Sequence, residues 1–228
     1  MSDPLPQLIE LDRRGFILPP DCPPRKHIDA SHRTLEWARE MRESLKRNGE
    51  ATVMGGKFRE DQLLPDDVMR ECLAQTRQTY AVEPDWVPAF CTNDYLPWYV
   101  GGASFYDLRE DTFQVCFLLR KAFLKQPRWF IYSRNEIASH EACHVARAAF
   151  DQMRFEESLA YAISSSLLRR ILGGTFTGRW EAGTLLGSSL ILIVESLIDA
   201  VCYPSWVRLT SAIPLLLTGT GLGGMALV

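Results

Sequence analysis

Paired cysteines are missing from this chain: six cysteines lie among 228 residues and none forms a Cys-x-x-Cys pair. That spacing argues against a disulfide-built fold. With no apolar run near the N-terminus to serve as a signal peptide, it predicts reduced thiols and a cytosolic globular part. A basic field is missing too. Net charge is -3, and the 25 Lys and Arg residues are scattered rather than striped along one face, which excludes nucleic acid as a partner. Histidine is scarce, with four in all, so any histidine chemistry is confined to His27, His32, His140 and His144. Charge itself is absent from Ala182 to Val194 and again from Leu209 to Val228.

What is present has globular proportions. At 46% hydrophobic and 23% charged residues, 228 residues suffice for one catalytic-sized domain with an appendage. Prolines crowd the first 25 residues (Pro4, Pro6, Pro19, Pro20, Pro23, Pro24), which reads as an extended leader. Helical periodicity then runs from Ser31 to Arg47, with Leu35, Ala38, Met41 and Leu45 on one stripe, and a second helix is expected from Pro65 to Tyr80. The aromatic stretch from Val82 to Pro97 carries three prolines and suits an irregular segment. Tyr99 to Tyr106, Thr112 to Leu119 and the short Trp129 to Tyr132 read as strands. Residues 26–180 are thus expected to form a mostly helical α+β domain with a small sheet.

Beyond that domain, 181–228 reads as a C-terminal hydrophobic helical hairpin turning at Tyr203 to Trp206. The uncharged segments are long enough to cross a bilayer, and the bias of Arg169, Arg170 and Arg179 keeps the globular part in the cytosol. The opposing reading is a pair of buried core helices in a soluble cytosolic protein, favoured by Glu195, Asp199, Pro214 and the glycines near the C-terminus.

The chemistry concentrates at His140-Glu141-Ala142-Cys143-His144, an H-E-x-x-H motif. Arg134 to Ala149 contains no Pro or Gly, and Ser133 with Glu136 offers a capping box, so a helix is expected. On a helix the i, i+4 spacing turns both imidazoles to one face, where they can share a zinc ion while the glutamate polarises its water. Catalytic zinc takes a third protein ligand, and no histidine follows His144, which leaves a downstream glutamate. Cys143 points away from the histidine face and is expected to be a small buried side chain.

The motif and the following Glu157-Ser158-Leu159-Ala160-Tyr161 together resemble the glutamate-type zincin metallopeptidases (gluzincins), in which a second helix supplies the third ligand from a Glu-x-x-Ala/Ser pattern. The resemblance covers about Trp129 to Leu172. It implies a zincin-like domain in which an αα-hairpin, bent at Asp151 to Met153, brings Glu157 to the metal of His140 and His144. Glu156, about 100° around the helix from Glu157, and Glu195 are the competing third ligands. The implied activity is zinc-dependent hydrolysis of a peptide or protein substrate, with Glu141 as general base and Tyr161 or Arg147 donating to the oxyanion. The strand at Trp129 to Tyr132 would take the substrate as an added strand. The alternative from another class is a non-enzymatic membrane adaptor that keeps the hairpin for structure.

Overall fold

Helix formation starts earlier than the proline content suggests. The computed structural model describes residues 3–109, 112–150, 156–173 and 179–202. Within them α1 (Leu5–Arg13) follows Pro4, and α2 (Pro24–Asn48) begins on Pro24. The leader is therefore not extended throughout. Proline is tolerated in a first helical turn, where its missing N–H would have no partner anyway. The leader is also packed on the domain, with Leu11 buried and Phe16 stacked on Trp86 at 4.7 Å. Along α2, Ile28, Ser31, Thr34, Ala38, Met41 and Leu45 are buried at helical spacing, and Gly49, with φ of 74°, ends it.

A hairpin of β1 (Glu50–Val53) and β2 (Gly56–Arg59) follows, turning through Met54 and Gly55, both at positive φ. The expected helix from Pro65 to Tyr80 is two helices, α3 (Asp66–Cys72) and α4 (Ala74–Tyr80), offset at the buried Leu73. The proline-rich segment after them, expected to be irregular, contains a short buried strand, β3 (Ala89–Cys91). With β4 (Gly102–Arg109) and β5 (Thr112–Leu119) it forms a sheet of order β3-β5-β4, in which β3 is parallel and β4 antiparallel to the central β5. Side chains alternate across a strand. Accordingly Val115, Phe117 and Leu119 belong to one core cluster, and Cys116 and Leu118 to another with Met41, Leu45 and Phe58. A strand covered on both faces explains the unbroken apolar run Val115 to Leu119, and each such side chain contributes roughly 1.5–3 kcal/mol on burial.

The third expected strand is a separate miniature hairpin, β6 (Arg128–Trp129) and β7 (Tyr132–Ser133), not an edge of the main sheet. It leads into α5 (Arg134–Arg147), the motif helix. The expected capping box does not form: Ser133 makes no side-chain cap, and Glu136 turns instead to Arg169 at 2.7 Å and to the Ser164 hydroxyl. The second helix of the expected hairpin is two short helices, α6 (Glu156–Ala162) and α7 (Leu167–Gly173). Between them Ser164 and Ser166 bond to nearby backbone amides, the competition through which serine interrupts helices. The expected bend at Asp151 to Met153 lies outside the described residues.

The chain divides into two units, Met1–Arg170 and Ile171–Val228. The second unit holds α8 (Arg179–Cys202), with Leu190, Ile191, Ile193, Val194, Leu197 and Ile198 exposed. Among the described residues no helix is long and apolar enough to cross a membrane. The connection and second segment of the expected hairpin, 203–228, lie outside them. The described residues define an α+β fold of eight helices and small sheets.

Candidate metal centre

Buried polar contacts fix α5 before any ligand is considered. The Thr76 hydroxyl donates to the Ser139 carbonyl at 3.1 Å and the Ser139 hydroxyl to the Cys72 carbonyl at 2.6 Å, which ties α5 to α3 and α4. On the next strand, a Cβ at Gly102 would lie 2.5 Å from Ile137 Cγ2 and 3.0 Å from the Leu118 carbonyl oxygen. Only glycine allows β4 to run this close to α5. The second helix is held by Tyr80, whose hydroxyl donates to the Leu159 carbonyl at 2.8 Å, and by Ala160, fully buried with Cys143 and Ile163. Cys143 is thus a packing residue between α5 and α6, and burial pushes its thiol up to about 12.

This scaffold brings His140, His144 and Glu157 together, with their ligand atoms all within 4.8 Å of one another. The two Nε2 atoms are 3.1 Å apart; Glu157 Oε2 is 3.6 Å from His140 Nε2, and Oε1 is 3.4 Å from His144 Nε2. A tetrahedral centre with bonds of about 2.0–2.1 Å sets its ligand atoms about 3.3–3.4 Å apart, so the three residues fit zinc in spacing as well as in donor type. Their protonation also fits. Burial and the neighbouring His144 lower the His140 pKa to about 3, which keeps the ring neutral, and three such acceptors facing one another need a cation or a shared proton between them. Burial raises the Glu157 carboxyl, and its electrostatic interaction with the His144 ring opposes the rise.

Glu156 is not part of the converging set. Its Oε1 lies 3.2 Å from His144 Nδ1, the ring nitrogen turned away from Glu157. Adjacent carboxylates on one helix thus serve the two nitrogens of one histidine, and an acceptor on Nδ1 leaves the Nε2 lone pair for a metal. Glu195, the other candidate, is on α8 in the second unit.

Glu141 is buried, and its Oε2 accepts from the Ser104 N–H at 2.6 Å. Burial raises its pKa, against the pull of His144 and of the Ser104 bond. Ser104 is on β4, an outer strand of the three, and among the described residues no strand pairs with the side of β4 opposite β5, which lies open beside the motif. Tyr161 sets its ring edge-on to His140, centroids 4.6 Å apart, and burial followed by the charge of Glu157 raises its phenol, so the hydroxyl keeps its proton. Arg147 instead lies over the Phe150 ring at 5.9 Å and acts on Tyr80 and Cys143. An apolar cavity of about 490 Å³, lined by Phe16, Thr34, Trp86, Phe113 and Val145, is on the face of α5 turned from the histidines.

Sequence reasoning did not find the Ser104 amide or the Tyr80 hydroxyl, since both reach the site across long loops and carry no local signal. The paired glutamates at 156 and 157 were visible, but their division of labour was not. No family model, curated protein or solved structure matches this chain.

Proposed function

We propose that the protein is a zincin-like, zinc-dependent metallopeptidase acting on a peptide or protein substrate. The observation that carries this reading is the convergence of His140, His144 and Glu157 on one point, with Glu141 beside them at the open edge of β4. Zinc held by these three residues would supply a Lewis acid for a substrate carbonyl and an acidified water. Glu141 takes the proton from that water and passes it to the leaving amine nitrogen; its raised pKa suits a group that must both accept and release a proton. Tyr161, still protonated, donates to the oxyanion as the carbonyl becomes tetrahedral. The edge of β4, rather than the miniature β6–β7 hairpin, receives the substrate as an added strand and aligns its carbonyl. The uncharged sequence from Leu209 to Val228 and the exposed apolar residues of α8 support membrane association of the C-terminal part, the globular part facing the cytosol. Vesicle flotation of the chain with and without 181–228 tests it.

The test of the enzyme is metal content and turnover together. Wild type is expected to hold about one zinc per chain, lost in His140→Ala and in Glu157→Ala. Glu141→Gln should keep its zinc while losing turnover by about 10²–10⁴-fold. Wild type without zinc, or Glu141→Gln with undiminished turnover, would sink the reading. Zinc without turnover in wild type would leave the non-enzymatic adaptor.

A further inference from the structure

Two loops beside the centre expose aromatic side chains that a folded domain normally covers. In the loop before β4, Trp98 is 82% and Tyr99 59% exposed; at the tip of the β6–β7 hairpin, Phe130 is 86% and Ile131 59% exposed. The loops are joined: the Tyr132 hydroxyl donates to the Tyr99 carbonyl at 2.9 Å, and Gly101 passes so close to Tyr132 that a Cβ there would lie 2.9 Å from its ring. Phe130 also has a φ of 52°. A bulky residue in the left-handed region is disfavoured by roughly 1–2 kcal/mol, and such strain collects at functional positions. Neither burial nor backbone preference explains a phenylalanine at that tip.

The patch is continuous with the proposed centre. Tyr132 is an electrostatic neighbour of Tyr161, which packs on His140. Arg169 donates to the Ile131 carbonyl with one nitrogen, to Glu136 with another, and lies over the Tyr132 ring, which holds the hairpin tip against the start of α5. From Arg134 to His140 the helix rises roughly 9 Å. From Ser104 back to Tyr99 the chain spans at most roughly 16 Å, since Tyr99 lies in the turn closed by the Val100 N–H on the Pro97 carbonyl. A peptide lying on the β4 edge with its scissile carbonyl at the histidines therefore passes these side chains about three to five residues from the cut.

Resting on the peptidase reading, we propose that Trp98, Tyr99, Phe130 and Ile131 form a specificity subsite that takes an aromatic or large aliphatic side chain of the substrate, about three to five residues from the cleaved bond. The site selects peptides with a distant apolar anchor, and Tyr132 couples the two loops that build it.

The experiment uses the full chain carrying Glu141→Gln, loaded with zinc, and two pools of labelled 14-residue peptides. One pool has Phe or Leu at every fourth position and the other has Ser there. Fluorescence anisotropy is expected to show about tenfold tighter binding of the apolar pool, a burial effect of about 1.4 kcal/mol. That preference should fall to near one in Trp98→Ala combined with Phe130→Ala, both too exposed to be needed for folding. Equal affinity for the two pools, absence of binding to either, or a preference that survives the double substitution would overturn the subsite. So would peptide-independent binding to anionic vesicles that the double substitution abolishes, since the loops would then be a membrane contact. Wild-type turnover separates the two readings: selective binding without cleavage of either pool sinks the peptidase and leaves these four residues an apolar peptide-binding surface, whereas cleavage of both pools at equal rates sinks the subsite alone.

Discussion

Replacing Glu156 tests whether the two adjacent glutamates divide the work as their geometry states. Glu156 Oε1 is 3.2 Å from His144 Nδ1, while Glu157 lies 3.4 Å from His144 Nε2 and 3.6 Å from His140 Nε2. On the proposed reading, Glu157 would ligate the metal and Glu156 would hold His144 in place for it. Loss of an acceptor on the far nitrogen of a metal-binding histidine typically weakens metal binding 10–100-fold, by freeing the ring to turn and by lowering its basicity. Glu156→Ala should accordingly weaken zinc binding by about 1.4–2.7 kcal/mol without abolishing it. Glu156→Gln, whose amide oxygen still accepts from Nδ1–H but carries no charge, should fall between Ala and wild type. Competition against a chromophoric chelator at neutral pH measures all three against Glu157→Ala, which should show no stoichiometric zinc. Were Glu156→Ala to lose zinc as completely as Glu157→Ala, Glu156 would be a ligand; were it to bind as wild type does, its carboxylate would have no hold on His144. Either result refutes the division.

Two further outcomes follow from the fold. Gly102→Ala places a Cβ 2.5 Å from Ile137 Cγ2 and 3.0 Å from the Leu118 carbonyl oxygen, so β4 must move off α5; chemical unfolding should show a loss of about 1–3 kcal/mol, and an unchanged midpoint would refute the close approach. Cys91 and Cys116 are fully buried, and burial pushes each thiol from 9.0 up to about 12. Above pH 9 the unfolded chain gives up these protons and the folded one keeps them, so their contribution is complete below pH 9 and is lost as pH rises towards 12. The loss is up to about 1.4 kcal/mol per pH unit for each thiol. Urea unfolding across that window should be less steep in pH for the double Cys→Ala variant than for wild type, whatever the packing cost to its absolute stability; equal slopes would show that the thiols titrate freely.

What could be read from the sequence was local. The i, i+4 histidines, the run from Val115 to Leu119 and the stripe of α2 each declare themselves within a few residues, because the period of the backbone sets which side chains share a face. Proline misled in two opposite ways. Pro4 and Pro24 suggested an extended leader although they stand at helix starts, and Pro88 argued against a strand although its carbonyl accepts from the Phe117 N–H at 2.9 Å, just before β3 begins. The hairpin at Trp129 to Tyr132 was read as one strand because Phe130 turns the chain at positive φ without the Asn or Gly that usually marks such a turn.

The same distinction separates the ligands from their surroundings. Glu157 came into view through the resemblance, whose Glu-x-x-Ala pattern sets its spacing from Ala160, and Ala160 packs on the motif helix at Cys143. The Ser104 amide that meets Glu141 is 37 positions away, on a strand whose own pattern says nothing about α5. The trace it leaves is the pair Gly101-Gly102. In isolation two glycines before a strand read as a loop end. Once Tyr132 and Ile137 are seen filling the space where their side chains would be, they become the reason β4 can lie against α5 and bring a backbone donor to Glu141. An H-E-x-x-H helix alone can place two imidazoles; it takes this close approach of a bare backbone to give its glutamate a fixed position and to leave an open strand edge beside it.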